Sequence, residues 1–175
     1  MVFPLFVVSC STLHFTEHQS DSQIVSIHHV RGHDSACLVT CVDMVLEYYG
    51  YESYFANCPA LSHPASIVAM DSLLHTFTSP NERDPYQLNS FILQGDESFL
   101  QEQLARERPV ILIFHSRHGQ YHSVVLAGVS RNGGSYYVHD PAVKAGKWMS
   151  RGKLLKRWKS SGNTALLIGI APAGT

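Results

Sequence analysis

Four stretches in the second half of the chain are built for strands: PVILIF (109–114), YHSVVLAGVS (121–130), SYYVHD (135–140) and ALLIGIA (165–171). Each is rich in β-branched or aromatic residues and is bounded by turn formers. Arg131-Asn132-Gly133-Gly134 separates the second from the third and reads as a hairpin turn. A hairpin makes its two strands antiparallel, so this half of the chain folds as an antiparallel sheet. Such apolar strands need cover, and the first half supplies it. Residues 37–50 place apolar side chains at 37, 38, 41, 42, 45, 46 and 49, the spacing of an amphipathic helix. Asp34 or Ser35 can cap its start and Gly50 can stop it. Further helices are expected over Pro64–Phe77 and over 96–106, where Asp96 caps and Phe99, Leu100 and Leu104 face inward. Residues 78–87 read as a loop, IVSIHHV (24–30) as an edge strand, and SRGKLLKRWKS (150–160) as a short basic helix with Trp158 in the core. Helices first and an antiparallel sheet after them make an α+β domain.

At 175 residues one domain is expected, covering 24–175. Ahead of it, residues 1–23 comprise an apolar start, MVFPLFVVSC, and a polar tether over 11–23. Val7-Val8-Ser9-Cys10 resembles a bacterial lipobox, so export and lipid attachment at Cys10 are expected, on the periplasmic side. If that tetrapeptide is chance, the location is cytoplasmic. No stretch reaches the roughly 20 apolar residues of a membrane span. Any membrane contact therefore runs through Cys10. With Lys plus Arg at 13 and Asp plus Glu at 14, the chain has no electrostatic footprint for nucleic acid.

The four cysteines, at 10, 37, 41 and 58, form no C-x-x-C pair. Cys37 falls in the first turn of the expected helix, where free N–H groups and the helix dipole favour a thiolate. It reads either as a nucleophile or as a small core residue. Cys41, one turn deeper, reads as core, with a Cys41–Cys58 bridge as the alternative. A nucleophilic thiol needs an imidazole and a group to orient it. His122 stands at the entry to an apolar strand and Asp140 ends the next one, so the hairpin brings both to one end of the sheet. The bland readings are a structural histidine and a turn residue before Pro141. Eleven histidines are many for this length. His115, His118 and His122 would form a metal face only on a helix, and Pro109, Gly119 and the β-branched residues nearby argue against one. His28, His29 and His33 read as a polar turn or as the flank of a cleft.

These motifs resemble the bacteriocin-processing cysteine peptidases, papain-like domains that trim leader peptides after a double glycine and also occur apart from transporters. The family's first motif, a cysteine beginning an apolar helix that ends Met-Val-Leu-x-Tyr-Tyr-Gly, is matched by Cys37, Cys41 and MVLEYYG (44–50). RPVILIF and GQYHSVVLAGV (119–129) match the second, YYVHDPA the third, and LLKRWKSSGNTALLIGIAP the closing helix and strand. The resemblance covers residues 28–172 and implies a papain-like α+β fold. It further implies Cys37 as nucleophile, His122 as general base and then acid, and Asp140 as the group orienting the imidazole. The chain departs from the family at Leu38-Val39, where the motif has Gly-Pro, and at Ala36, where it has Asp. It departs again at Arg31, six residues before the cysteine, where the family places an oxyanion-hole glutamine. Arginine also donates hydrogen bonds, with different reach and charge, which makes Arg31 the oxyanion candidate.

The expectation is a cysteine peptidase acting on a peptide or protein, without metal or organic cofactor. Any transporter or export system is a separate protein. The alternative, motivated by Arg31, is a catalytically silent peptide-binding module of the same fold.

Overall fold

Val110–Phe114 is buried at every position, whereas a strand with one wet face alternates. The same holds for Ser123–Gly128. Both faces of the sheet centre are therefore covered. The computed structural model describes residues 22–32, 37–50, 66–76, 86–115 and 121–172. Among these, the strands are β1 (Ser22–Ile24), β2 (Tyr86–Gln94), β3 (Val110–His115), β4 (Tyr121–Ser130), β5 (Ser135–His139), β6 (Lys147–Ser150) and β7 (Thr164–Pro172). The helices are α1 (Cys37–Tyr48), α2 (Ile67–Thr76), α3 (Glu97–Ala105) and α4 (Arg151–Lys159).

The sheet runs β2-β7-β3-β4-β5-β6, antiparallel throughout. β3 pairs with β4 only as far as Leu126, and β1 takes the edge of β4 beyond it, at Gly128–Ser130. β1 lies so close there that a Cβ on Gly128 would sit 2.6 Å from the Gln23 carbonyl oxygen. Against β4 packs α1, burying Cys41, Val42, Val45 and Leu46. It ends at Gly50, whose φ of +84° suits a residue without Cβ and whose N–H donates to Glu47. Asp96 caps α3 by accepting from the Phe99 N–H at 2.9 Å. Leu100 and Leu104 are buried, and so is Trp158 of α4, whose Nε1 donates to Thr164 at 2.8 Å. Asn132 organises the hairpin, accepting from the Gly134 N–H and the Ser130 hydroxyl.

The fold class is the expected α+β, with four corrections. The strand read over 24–30 is confined to Ser22–Ile24. Beyond Ile24 burial still alternates, with Val25 and Ile27 inside, but among the described residues no strand pairing continues after Val25 donates to Ala127. Alternation reports an extended chain, not a paired one. Second, β2 begins inside the stretch read as loop, because its polar residues Gln87, Asn89, Ser90 and Gln94 hide a strand held by nine-residue pairing to β7. Third, β6 is too short to show a period. Fourth, helices and strands interleave, with β2 ahead of α3 and α4 ahead of β7. α2 occupies Ile67–Thr76 of the expected 64–77. β1 starts at Ser22, two residues inside the stretch read as tether. Cys10, the rest of the apolar start and tether, Asp34, Ser35 and Pro64 lie outside the described residues.

Candidate active site

Cys37 is the first residue of α1 and is half-buried. The antiparallel pairing of β4 with β5 sets Val125 opposite His139, so the chain leaving β5 at Asp140 arrives beside the start of β4. There His122 Nε2 lies 2.9 Å from Asp140 Oδ1. With Nε2 committed to the carboxylate, Nδ1 is the ring nitrogen left for the Cys37 sulfur, to which His122 is hydrogen-bonded. Thiol, imidazole and carboxylate thus form one chain across the junction of helix and sheet.

Each group is shifted by the others. Burial pushes the Cys37 thiol up, but hydrogen bonds to His122 and to the Ser123 backbone outweigh it, and the net direction is down. The start of α1 acts in the same sense. The Asp140 and Cys37 hydrogen bonds push His122 up to about 9, against burial. Burial also raises Asp140, but His122 and Lys147 hold its carboxyl well below the usual carboxylate range. The site therefore keeps His122 as imidazolium at neutral pH and stabilises the thiolate form of Cys37 beside it.

Asp140 is held from several sides. Its Oδ1 also accepts from the Ala142 N–H at 3.1 Å, and its Oδ2 pairs with Lys147 Nζ at 3.0 Å. Gly32 N–H donates to the Pro141 carbonyl, and Val143 N–H to that of Asp140. His29 Nε2 lies 2.9 Å from the Val143 carbonyl and Nδ1 lies 3.2 Å from His139 Nδ1, the two rings stacked at 5.4 Å. Burial, reinforced by His29, pushes His139 down to about 4 and keeps it neutral.

Cys37, His122 and Asp140 come together. Arg31 does not join them: it is exposed, and among the described residues no hydrogen bond or ion pair links it to the three. Cys41 is a buried free thiol rather than half of a bridge, and Cys58 lies outside the described residues. His115 ends β3 with its ring against Tyr121, and His28 pairs with Glu47, so neither joins this cluster. His33 and His118 lie outside the described residues. Sequence reasoning missed Lys147 as the partner of Asp140, and it missed the pairing of His29 with His139 and the Val143 carbonyl beside it. A histidine near the cysteine was a faint signal for His29; Lys147 gave none.

A family model described as the Peptidase_C39 like family matches residues 17–166. Among solved structures, the chain is similar to a candidate C39-like peptidase from Bacillus anthracis, at 16% identity and a TM-score of 0.56, over 87% of this chain and 100% of that one. At that identity the likeness shows the fold, the papain-like arrangement. A second similar structure is the peptidase domain of Streptococcus ComA, a bi-functional ABC transporter involved in quorum sensing, at 17% identity and a TM-score of 0.48, over 82% of this chain and 97% of that one. A search of curated proteins found no match.

Proposed function

The chain belongs to the Peptidase_C39 like family, and from that premise we propose that it hydrolyses peptide bonds with Cys37 as nucleophile, His122 as acid and base, and Asp140 as the orienting carboxylate. One observation carries this reading. The half-buried thiol at the start of α1 is hydrogen-bonded to an imidazole whose other nitrogen is 2.9 Å from a buried carboxylate.

The Cys37 thiolate attacks the carbonyl carbon of the scissile bond, and the carbonyl oxygen takes up negative charge. The tetrahedral adduct collapses as His122 gives its Nδ1 proton to the leaving amine, which leaves a thioester on Cys37. Water then attacks the thioester while His122 removes its proton. The carboxylic acid departs and the thiolate–imidazolium pair is restored. Asp140 keeps the ring oriented and stabilises its cation. For the oxyanion, the Cys37 N–H is one donor in this proposal, since the first N–H groups of a helix have no intrahelical partner. Arg31 is the second donor in this proposal, from a segment that must bring its side chain inward when substrate binds. Loss of one such donor costs about 10²–10³ in rate in measured cases.

The substrate in this proposal is a peptide or protein, and any export system that presents it is a separate chain. The silent binding module has less support, because peptide binding alone does not need a lowered thiol beside a raised imidazole. Lipid attachment at Cys10 is a separate proposal resting on Val7–Cys10 alone: lipid labelling lost in Cys10→Ser supports it, and unchanged labelling removes it.

The deciding experiment is alkylation of the purified chain by iodoacetamide across pH, with the label located by mass spectrometry. Cys37 is expected to react fast at pH 6 and to slow at least about tenfold in His122→Ala. A Cys37 that is inert at pH 6, or indifferent to His122, overturns the peptidase reading. Arg31→Ala is expected to lower peptide cleavage while leaving alkylation unchanged.

A further inference from the structure

We propose that Lys147 is a positioning residue of this site, one that holds Oδ2 of Asp140 and thereby holds down the basicity of His122. The inference rests on the Cys37–His122–Asp140 reading. Its geometry is simple. The Asp140 side chain is only 7% exposed and has a cation on each oxygen, His122 at 2.9 Å on Oδ1 and Lys147 at 3.0 Å on Oδ2. The Ala142 N–H adds a second bond to Oδ1. With both oxygens engaged from different directions, the carboxylate cannot rotate without breaking a charge-assisted bond. Lys147 is itself fixed at its backbone. It opens β6 and pairs with Val138 of β5, the strand that ends next to Asp140. One ladder therefore sets both ends of the ion pair.

The electrostatic consequence follows from sharing. An unshared buried carboxylate would give its whole field to the imidazole and make it a stronger base. The Lys147 ammonium takes part of that field. A general acid works best when its pKa lies near the operating pH, so restraining His122 helps it release a proton to the leaving amine. The other groups around this network are Cys37 on α1, hydrogen-bonded to His122, the buried Cys41 one turn deeper, and His139 on β5 with His29 against it. Among the described residues, the ion pairs of Asp140 include one ammonium, that of Lys147. Its side chain is 41% exposed, so its replacement is compatible with folding.

The test is the imidazole titration of His122 in the full chain, followed by NMR and assigned by its loss in His122→Asn. In Lys147→Met the midpoint is expected to rise by about one unit, the size expected when one partly solvated charge is removed at this range. Lys147→Arg, which keeps the charge, is expected to stay within about 0.3 unit of wild type. An unchanged or lowered midpoint in Lys147→Met overturns the inference, as does a variant that only melts earlier. The same samples alkylated at pH 6 keep the two ideas apart. An inert Cys37 in wild type removes the peptidase reading, while the His122 midpoint still decides for or against Lys147.

Discussion

At the scale of single residues, the chemistry depends on how three titrating groups share protons. His122 is raised to about 9, so unfolding near neutral pH releases its proton, while the lowered Cys37 thiol contributes with the opposite sign. The two effects oppose each other. Asp140 behaves differently. Its carboxyl is held low, so its contribution is complete above the ordinary value near 4 and is lost as pH falls through its native value. Asp43 on α1 has the opposite sign. Burial, reinforced by Glu47, pushes it up to about 6, and its Oδ1 is buried without a hydrogen-bond partner. Between about 4 and 6 the folded chain keeps a proton that the unfolded chain has lost, so stability falls across that interval and the penalty is complete above it. Asp43→Asn is therefore expected to gain about 1 kcal/mol at pH 7.5, discounted for partial exposure, and little at pH 4. Urea unfolding at the two pH values checks this, and an equal effect at both would remove the charge as the cause.

At the scale of elements, legibility followed the length of the periodic signal. α1, with apolar positions at helical spacing over 37–49, begins at Cys37 as its pattern says. β4 and β5 coincide with their β-rich runs because Asn132 and its glycine neighbours define the turn locally. β2 was hidden because its polar residues carry no strand signal, and only its pairing with β7 makes it a strand. β1 was misplaced for the same reason in reverse, since alternation continued where pairing had stopped. The β1–β4 junction depends on one position. Gly128→Ala would set a methyl group 2.6 Å from the Gln23 carbonyl and force β1 off its edge. The expected cost is about 1–3 kcal/mol, as for other overpacked sites. Thermal unfolding checks it, and an unchanged melting temperature would mean that β1 contributes nothing to the fold. Gln23, which reaches the Leu104 carbonyl at 2.7 Å, ties the same strand to the end of α3, so the loss is expected to extend beyond three residues.

At the scale of the whole molecule, the candidate site is a seam. The thiol comes from a helix, the imidazole from a strand and the carboxylate from the residue just past the next strand, so the site exists only while α1 is docked on β4. Loss of that docking releases Cys37 to an ordinary thiol. Fast alkylation of Cys37 at pH 6 and the helical circular dichroism are accordingly expected to disappear together in urea, over one transition. Reactivity lost at lower urea than helicity would instead make the seam a local opening, weaker than the fold. By itself the sequence determined what short-range order can encode: the α1 helix and its leading thiol, the β3, β4, β5 and β7 runs, the hairpin, and the α+β class. It also named the thiol, the imidazole and the carboxylate that meet. Tertiary structure alone decided which groups stand behind them. His29 reaches His139 across 110 residues of chain, Lys147 turns back onto Asp140, and Arg31 stays on the surface. The physical reason is range. Periodicity and turn chemistry act over a few residues, whereas the partner of a charged side chain is chosen by packing, which no local pattern records.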